Sequence, residues 1–173
     1  VHTISPARFD HGVTRNAAVQ GEAADIYVFL TQDAILHDPG ALDALLNAFA
    51  DPGVAVAYGR QLPHLHANPI AAHARAFNYG SHSYVAGLNE APRLGIKTVF
   101  VSNSFAAYRA AIFHELGGFP ERVILSEDMY LAACAVMNGY SIAYVSEACV
   151  RHSHDYTPLQ EFRRYFDIGV FQA

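Results

Sequence analysis

The chain has 173 residues, of which 52% are hydrophobic, and it carries a formal net charge of −5. This length suits one domain with a buried core, and the acidic balance excludes the basic footprint expected of a nucleic-acid-binding protein. Two cysteines, Cys134 and Cys149, are too few for a disulfide scaffold. We therefore expect a single cytoplasmic domain over residues 1–173 with reduced thiols.

The first half of the chain alternates predicted helices and strands. A helix over residues 15–24, with Thr14 as its N-cap, precedes a continuous apolar strand that ends at Asp33. A second helix begins near Pro39, and a second apolar strand covers residues 54–58. This alternation predicts right-handed crossovers and a parallel core in an α/β fold.

The second half is less regular. Small and polar residues make the segment 80–95 typical of a mobile loop that closes over a ligand. A strand is predicted over residues 97–101, and Ser126 is expected to cap a helix that carries Glu127 and Asp128 in its first turn. The remaining predictions are helices over residues 70–79 and 110–116 and from Pro158, and strands over residues 105–108, 141–145 and 148–152.

Acidic residues lie at two positions where chemistry is expected. Ligands of open α/β sheets bind beyond the carboxyl ends of strands, which is where Asp33 stands, although aspartate also commonly begins a turn. Glu127 and Asp128 either complement the dipole of their helix or include a general base. Because a metal-bound carboxylate is a poor proton acceptor, the two positions would divide metal binding and proton removal between them.

Two histidines follow the last predicted strand. Residues two apart on an extended chain point the same way, so His152 and His154 would both face one metal ion near Asp33. The alternative is a solvated or hydrogen-bonded pair that binds no metal. The spacing alone leaves both interpretations open.

Basic residues are scarce, with 11 lysines and arginines in the whole chain. Arg163 and Arg164 lie on the final predicted helix and act either as surface charges or as a bidentate phosphate site. Arg15 and Asn16, at the start of the first predicted helix, lie where the positive end of the helix dipole would favour an anion.

Seven short motifs occur in order along the chain, at residues 9–16, 29–34, 103–105, 117–121, 126–128, 152–156 and 160–169. Together they resemble glycosyltransferase family 2, most closely its bacterial rhamnosyltransferase branch. The resemblance implies a glycosyltransferase A-type, Rossmann-like fold, in which helices flank a mixed and mainly parallel sheet. Members of this family open with a strand and loop that hold the nucleotide base, and nothing before Val1 supplies them here, so we expect a partial catalytic domain.

The resemblance also implies a metal site. Thr31, Gln32 and Asp33 match the Asp-any-Asp motif of the family, with threonine in place of the first acid. Asp33 would then hold Mg²⁺ or Mn²⁺, which bridges the diphosphate of the donor, and His152 or His154 would complete the metal ligands. With one acid of the motif replaced, we expect weak metal binding when the donor is absent.

Roles for the remaining residues follow from the same resemblance. Asp128 matches the catalytic base of the family, with Glu127 beside it. The resemblance implies that the donor is contacted by Arg15, Asn16, Thr31, Gln32, Arg163 and Arg164. It implies that the acceptor is contacted by Asn103 and Ser104.

The expected activity is inverting transfer of a single sugar, rhamnose, from a nucleotide-diphospho-sugar to a hydroxyl of a glycan or lipid-linked acceptor. The Gln-any-any-Arg-Trp motif of processive members lacks its tryptophan here, which argues against polymer synthesis. Such acceptors would place the protein at the inner face of the cell membrane, and an open sheet edge would favour a homodimer. Two alternatives are a metal-dependent hydrolase built on Asp33, His152 and His154, and a non-catalytic module that binds nucleotides or sugars.

Overall fold

The computed structural model describes residues 3–5, 9–123 and 125–172. Its helices are α1 His11–Val19, α2 Ala41–Asn47, α3 Pro69–Asn78, α4 Ala91–Leu94, α5 Ala110–Glu115, α6 Glu127–Met137 and α7 Pro158–Gln172. Its strands are β1 Ile26–Leu30, β2 Ile35–Leu36, β3 Val54–Leu62, β4 Tyr84–Ala86, β5 Phe105–Arg109 and β6 Ser141–Arg151. No helix in these ranges is long and apolar enough to cross a bilayer.

The strands form one mixed sheet in the order β1-β5-β3-β6-β2, with β4 paired to β6. The α/β class is therefore confirmed. The expectation of a mainly parallel sheet is wrong, because β3 and β6 run parallel while the other four pairings are antiparallel. Burial on both faces produces a continuous apolar run whatever the direction of the neighbouring strands, so the apolar runs did not reveal strand direction.

Strand β5 determines where the ends of the other strands meet. It runs antiparallel to both β1 and β3, and β3 runs parallel to β6. The strands β1, β3 and β6 therefore end on the same side of the sheet, where the chain also enters β5. We call this side the carboxyl edge, and it consists of residues 31–33, 61–62, 102–104 and 152–154.

The central strands β3 and β5 are buried on both faces, whereas the outer strand β1 exposes Val28 and Leu30. Successive residues of β5 alternate between the two hydrophobic clusters, with Ala106 and Tyr108 in one and Phe105 and Ala107 in the other. The first cluster also contains residues of α5 and α6, and the second contains residues of α2. The carboxyl edge thus lies at the rim of a rigid three-layer core.

A bulge in β6 sets the register of the parallel pair. Gly59 lies opposite Val145, yet the next residue of β3 lies opposite Cys149, so residues 146–148 are excluded from the pairing. A Cβ atom on Gly59 would lie 2.4 Å from the carbonyl oxygen of Ala148 and 2.4 Å from the ring of Phe105. The bulge therefore requires glycine at position 59. Beyond it, the backbone N–H of His152 donates to the carbonyl of Leu62 at 2.9 Å.

Two predicted helix caps are wrong. The first helix begins at His11 rather than residue 15, because the N–H of Val13 donates to Asp10 Oδ1 at 2.8 Å. Asp10, not Thr14, is its N-cap. At the start of α6, the Ser126 side chain makes no capping hydrogen bond, and the residue has a left-handed backbone with φ of 65°.

Three other predictions about local structure differ from the fold. Residues 97–101 are not a strand, since a 3₁₀ helix covers Gly95–Val99. Residues 141–145 and 148–152 are not separate strands, because β6 continues through the bulge. The predicted mobile loop over residues 80–95 contains β4 and short helical segments. Whether this segment closes over a ligand stays a prediction.

Candidate active site

Three side chains that could bind a metal ion meet at the carboxyl edge. Asp33 lies in the turn after β1, and His152 directly follows β6. Asp33 Oδ2 lies 3.3 Å from His152 Nε2 and 3.8 Å from His154 Nε2. The candidate ligand atoms of the three residues all lie within 4.8 Å of one another. The structure thus brings together the three residues that the sequence proposed as ligands.

The loop that carries His154 is fixed to the turn before α3. The backbone N–H of His64 donates to Ser153 Oγ at 3.1 Å, and the N–H of Asn68 donates to Asp155 Oδ1 at 2.8 Å. These bonds on either side of His154 orient its ring toward Asp33, where it also packs edge-on against the ring of His152.

The protonation states at pH 7 favour cation binding. Burial lowers the pKa of His152 to about 4, although the Asp33 carboxylate opposes that shift, so its imidazole is neutral. Partial burial would raise the pKa of Asp33, but the Thr31 hydroxyl and His152 outweigh it and hold the pKa below its ordinary value. A neutral imidazole and an ionised carboxylate are the forms that bind metals.

The donor set fits a divalent ion. Carboxylate oxygen suits Mg²⁺ and Mn²⁺, whereas imidazole nitrogen suits transition metals, so one carboxylate with two imidazoles favours Mn²⁺ over Mg²⁺. The side chain of Asp33 is 41% exposed, which leaves room for oxygen atoms of a ligand around the ion. The residues present therefore fit a divalent ion that also has room for ligand atoms from outside the protein.

A buried ion pair lies near the same edge. Glu127 is 5% exposed, and its Oε1 accepts hydrogen bonds from Arg15 Nη1 at 2.7 Å and from Asn103 Nδ2 at 3.0 Å. The hydroxyl of Tyr108 donates to Asn103 Oδ1 at 2.8 Å, which fixes the orientation of the amide. Glu127 is therefore held by partners within the protein and organises its neighbours.

Asp128 has the surroundings of a general base. Its Oδ2 accepts the backbone N–H of Asn103 at 2.9 Å, and its Oδ1 accepts the N–H of Met129 at 2.8 Å. Burial and the negative charge of Glu127 raise the pKa of Asp128 to about 6, against the opposing effect of these two N–H groups. A carboxylate with this pKa accepts protons more readily than an ordinary aspartate and is still ionised at neutral pH.

Residues 102–104 connect the two parts of the site. The N–H of Thr31 donates to the carbonyl of Ser104 at 3.4 Å, which joins the turn of Asp33 to this segment. One residue earlier, Asn103 contacts both acidic residues at the start of α6. The candidate base and the candidate metal ligands thus border the same segment of backbone.

A family model described as glycosyltransferase like family 2 matches residues 7–166. The chain belongs to glycosyltransferase family 2. This match includes all the residues of the site described above, and it confirms the resemblance seen in the seven motifs.

Two relatives from Salmonella share more than half of their aligned residues with this family 2 chain. The O-antigen chain rhamnosyltransferase WbaN of Salmonella anatum is 58% identical over 171 residues, covering 98% of this chain and 54% of the relative. The O-antigen chain rhamnosyltransferase RfbN of Salmonella typhimurium strain LT2 is 56% identical over 174 residues, covering 100% of this chain and 55% of the relative. The chain spans about half the length of these relatives.

A solved structure supports the fold. The mannosyltransferase PcManGT from Pyrobaculum calidifontis, in complex with GDP-Man and Mn²⁺, is similar with a TM-score of 0.58 and 18% identity. The similarity covers 86% of this chain and 37% of the mannosyltransferase. It confirms that the family 2 chain has a glycosyltransferase fold.

Several predicted donor contacts of this family 2 chain stay predictions. The side-chain amide of Asn16 both donates to and accepts from the backbone of Phe119, at 2.9 Å each. Arg163 is exposed on α7, and Arg164 Nη1 lies 3.8 Å from Glu161 Oε2. Within the described ranges, neither arginine has a hydrogen bond or ion pair with the Asp33 cluster. Gln32 is exposed at the carboxyl edge, where a ligand would reach it.

The predicted acceptor contacts also stay predictions. Asn103 is buried and its side chain bonds to Glu127 and Tyr108, while Ser104 is buried with its Oγ 3.3 Å from that of Ser102. In the described chain, both side chains therefore contact other residues of the site and hold them in place.

Sequence reasoning missed Gln61 and Arg75. Gln61 is 2% exposed, and its Oε1 lies 2.9 Å from Nδ1 of His152. Arg75, from α3, donates to the same oxygen. The available signal was the pair of polar residues Arg60 and Gln61 after the apolar run of β3, followed by an arginine on the buried side of the next helix.

Proposed function

We propose that the chain catalyses inverting transfer of rhamnose from a nucleotide-diphospho-sugar to a hydroxyl of a glycan or lipid-linked acceptor in O-antigen-type polysaccharide synthesis. Membership of family 2 and the names of the two Salmonella relatives support the sugar and the pathway. The observation that carries the proposal is the raised pKa of Asp128, about 6, at the same edge of the sheet as three candidate metal ligands.

Asp128 acts as the base in this reaction. The acceptor hydroxyl gives its proton to the carboxylate as its oxygen forms a bond to the anomeric carbon of the donor. The bond from that carbon to the diphosphate oxygen breaks on the opposite face, and the nucleoside diphosphate leaves with the electron pair. The N–H groups of Asn103 and Met129 each occupy one carboxylate oxygen, and this fixes the direction from which the proton arrives.

Asp33, His152 and His154 act on the leaving group. These residues would hold Mn²⁺ or Mg²⁺, and the bound ion would supply positive charge to the departing diphosphate. Arg163 and Arg164 on α7 would add to this charge. Arg15, which pairs with Glu127 at 2.7 Å, partly offsets the effect of that carboxylate on the pKa of Asp128.

The remaining assignments complete the proposal. Residues 80–95 would cover the bound donor and acceptor, with Asn103 and Ser104 bordering the acceptor. A lipid-linked acceptor would bring the protein to the inner face of the membrane, and the outer strand β1 offers an edge for a second copy.

The test is sugar transfer by the intact protein, measured with dTDP-rhamnose, Mn²⁺ and a lipid-linked or glycan acceptor. We expect acceptor-dependent release of dTDP by the wild type. Release at the same rate without any acceptor would indicate a hydrolase, and dTDP binding without turnover on any acceptor would indicate a binding module. Either result would overturn the proposal.

A further inference from the structure

Gln61 is a buried polar side chain without a part in the proposed reaction. It lies at the carboxyl end of β3 and is 2% exposed. Its Oε1 accepts a hydrogen bond from Arg75 Nη1 and lies 2.9 Å from His152 Nδ1. Its Nε2 donates to Ser102 Oγ at 2.9 Å. The contacts with Arg75 and His152 are buried, and the contact with Ser102 is partly buried.

Arg75 determines which way the amide of Gln61 points. A guanidinium group donates hydrogen bonds and accepts none, so it requires the amide oxygen and rejects the amide NH₂ group. Arg75 is itself 8% exposed, and its guanidinium carbon lies 5.6 Å from the centre of the Tyr79 ring. Because packing on Tyr79 restrains Arg75, the amide of Gln61 is held with its oxygen toward His152.

The amide oxygen in turn determines the tautomer of His152. An oxygen that only accepts must face a ring nitrogen that carries hydrogen, so His152 Nδ1 is protonated. In a neutral imidazole the other nitrogen, Nε2, then carries a lone pair. This lone pair lies 3.3 Å from the carboxylate oxygen of Asp33. Two acceptors that face each other at this distance are suited to share a cation.

We propose that Gln61, oriented by Arg75, is a positioning residue that holds His152 in the Nδ1–H tautomer and so directs its Nε2 lone pair toward the metal position. The tautomer follows from contacts among protein atoms, whereas the metal ligation rests on the proposed function. Partners that orient a metal-binding histidine in this way typically change metal affinity by roughly 10–100-fold when they are removed.

The experiment is ¹⁵N NMR of the histidine rings in metal-free protein, combined with calorimetric titration of Mn²⁺ alone. We expect the ring of His152 to show a protonated Nδ1 and an unprotonated Nε2. Gln61→Met removes the acceptor at similar side-chain length. It should move the ring proton to Nε2, which can then donate a hydrogen bond to Asp33. Mn²⁺ binding should weaken by roughly 10–100-fold.

Two further variants separate positioning from a loss of structure. Gln61→Glu retains an acceptor oxygen for both Arg75 and His152 and should retain the Nδ1–H tautomer. Arg75→Met frees the amide to turn over and should give a mixture of both tautomers. Gln20→Met, which changes an exposed glutamine elsewhere, is the control and should leave the His152 spectrum unchanged.

The outcomes distinguish this inference from the proposed function. An Nε2–H tautomer in the wild type would overturn the inference without any variant having to fold. An unchanged tautomer in folded Gln61→Met would overturn it as well. A wild type with the expected tautomer that binds no Mn²⁺ would support control by Gln61 and overturn the proposed metal site.

Discussion

The acidic pair Glu127–Asp128 and the cluster of Asp33, His152 and His154 share one edge of the sheet. They differ in the partners that their polar atoms have within the protein. The oxygens of the pair accept hydrogen bonds from a guanidinium, an amide and two backbone N–H groups. In the cluster, a carboxylate oxygen faces two imidazole nitrogens at 3.3 and 3.8 Å. The oxygens of the pair have their hydrogen-bond partners within the protein, whereas under the proposed function the cluster would be completed by a bound ion.

The largest expected effect is a loss of sugar transfer when the acidic pair is changed and the cluster is left intact. Asp128→Asn should lower sugar transfer by roughly 10²–10⁴-fold, because an amide cannot accept the proton of the acceptor. Calorimetric Mn²⁺ binding should remain at the wild-type level, since the cluster is unchanged. Asp43→Asn, an exposed acid in the first turn of α2, serves as the matched control. Transfer at the wild-type rate by Asp128→Asn would rule out the base assignment.

The second prediction concerns the effect of Mn²⁺ on stability, which depends on the cluster of Asp33, His152 and His154 and not on the acidic pair. Wild-type protein in Mn²⁺ at about 100 times the dissociation constant should gain about 2.7 kcal/mol in free energy of unfolding, because the ion binds only the folded state. Asp33→Asn should lose most of this gain, while Asp128→Asn should keep it. Denaturant titration with and without Mn²⁺ measures both. An equal gain in all three proteins would mean that the ion binds elsewhere.

The pH dependence tests the coupling inside the pair. Asp128 must be ionised to act as base, so transfer should fall as the pH drops through about 6, the raised pKa of this residue. Glu127→Gln removes the negative charge that helps to raise that pKa, so the acidic limb of the pH–rate profile should move to lower pH. The profile of kcat/KM against pH measures this shift. An unshifted limb in a folded Glu127→Gln protein would contradict the coupling.

The smallest expected effect concerns the backbone that presents the pair. Ser126 has φ of 65°, a left-handed conformation that costs a non-glycine residue about 1–3 kcal/mol. Ser126→Gly removes this strain but gives the unfolded chain about 0.4–1 kcal/mol more entropy to lose, so a net gain of about 1 kcal/mol is expected. Urea denaturation measures it, with Ser126→Ala as the comparison. A destabilised glycine variant would show that the serine side chain stabilises the turn.

The candidate metal ligands could be predicted because local features specify them. Asp33 directly follows an apolar strand, and His152 and His154 have the spacing that places two side chains on one side of an extended chain. The acidic pair was recognisable from its position at the start of a predicted helix, and the family motifs then implied that Asp128 is the base. Each of these signals lies within a few residues of the side chain concerned, so no knowledge of the tertiary structure was needed.

The residues that hold these candidate ligands in position could not be predicted. Gln61 reaches His152 only through the register of β3 against β6, and Arg75 reaches Gln61 only through the packing of α3. Strand direction was missed for a similar reason, because an apolar run reports burial and not orientation. The Asp10 cap was missed because Thr14 and Asp10 are both good caps, and the helix length that decides between them depends on tertiary contacts.

The number of residues in the bulge of β6 determines which way the side chains after it point. Residues 146–148 stand outside the pairing between Val145 and Cys149. Because strand side chains alternate, removing one of these three residues would turn every later side chain of β6, and His152 with it, to the opposite face. Glu147 is exposed, and its carboxylate accepts hydrogen bonds from Ser83 and Ser146. We expect its replacement to remove these bonds only, whereas its deletion would change the register. For the position of His152, the number of residues in the bulge matters more than their identity.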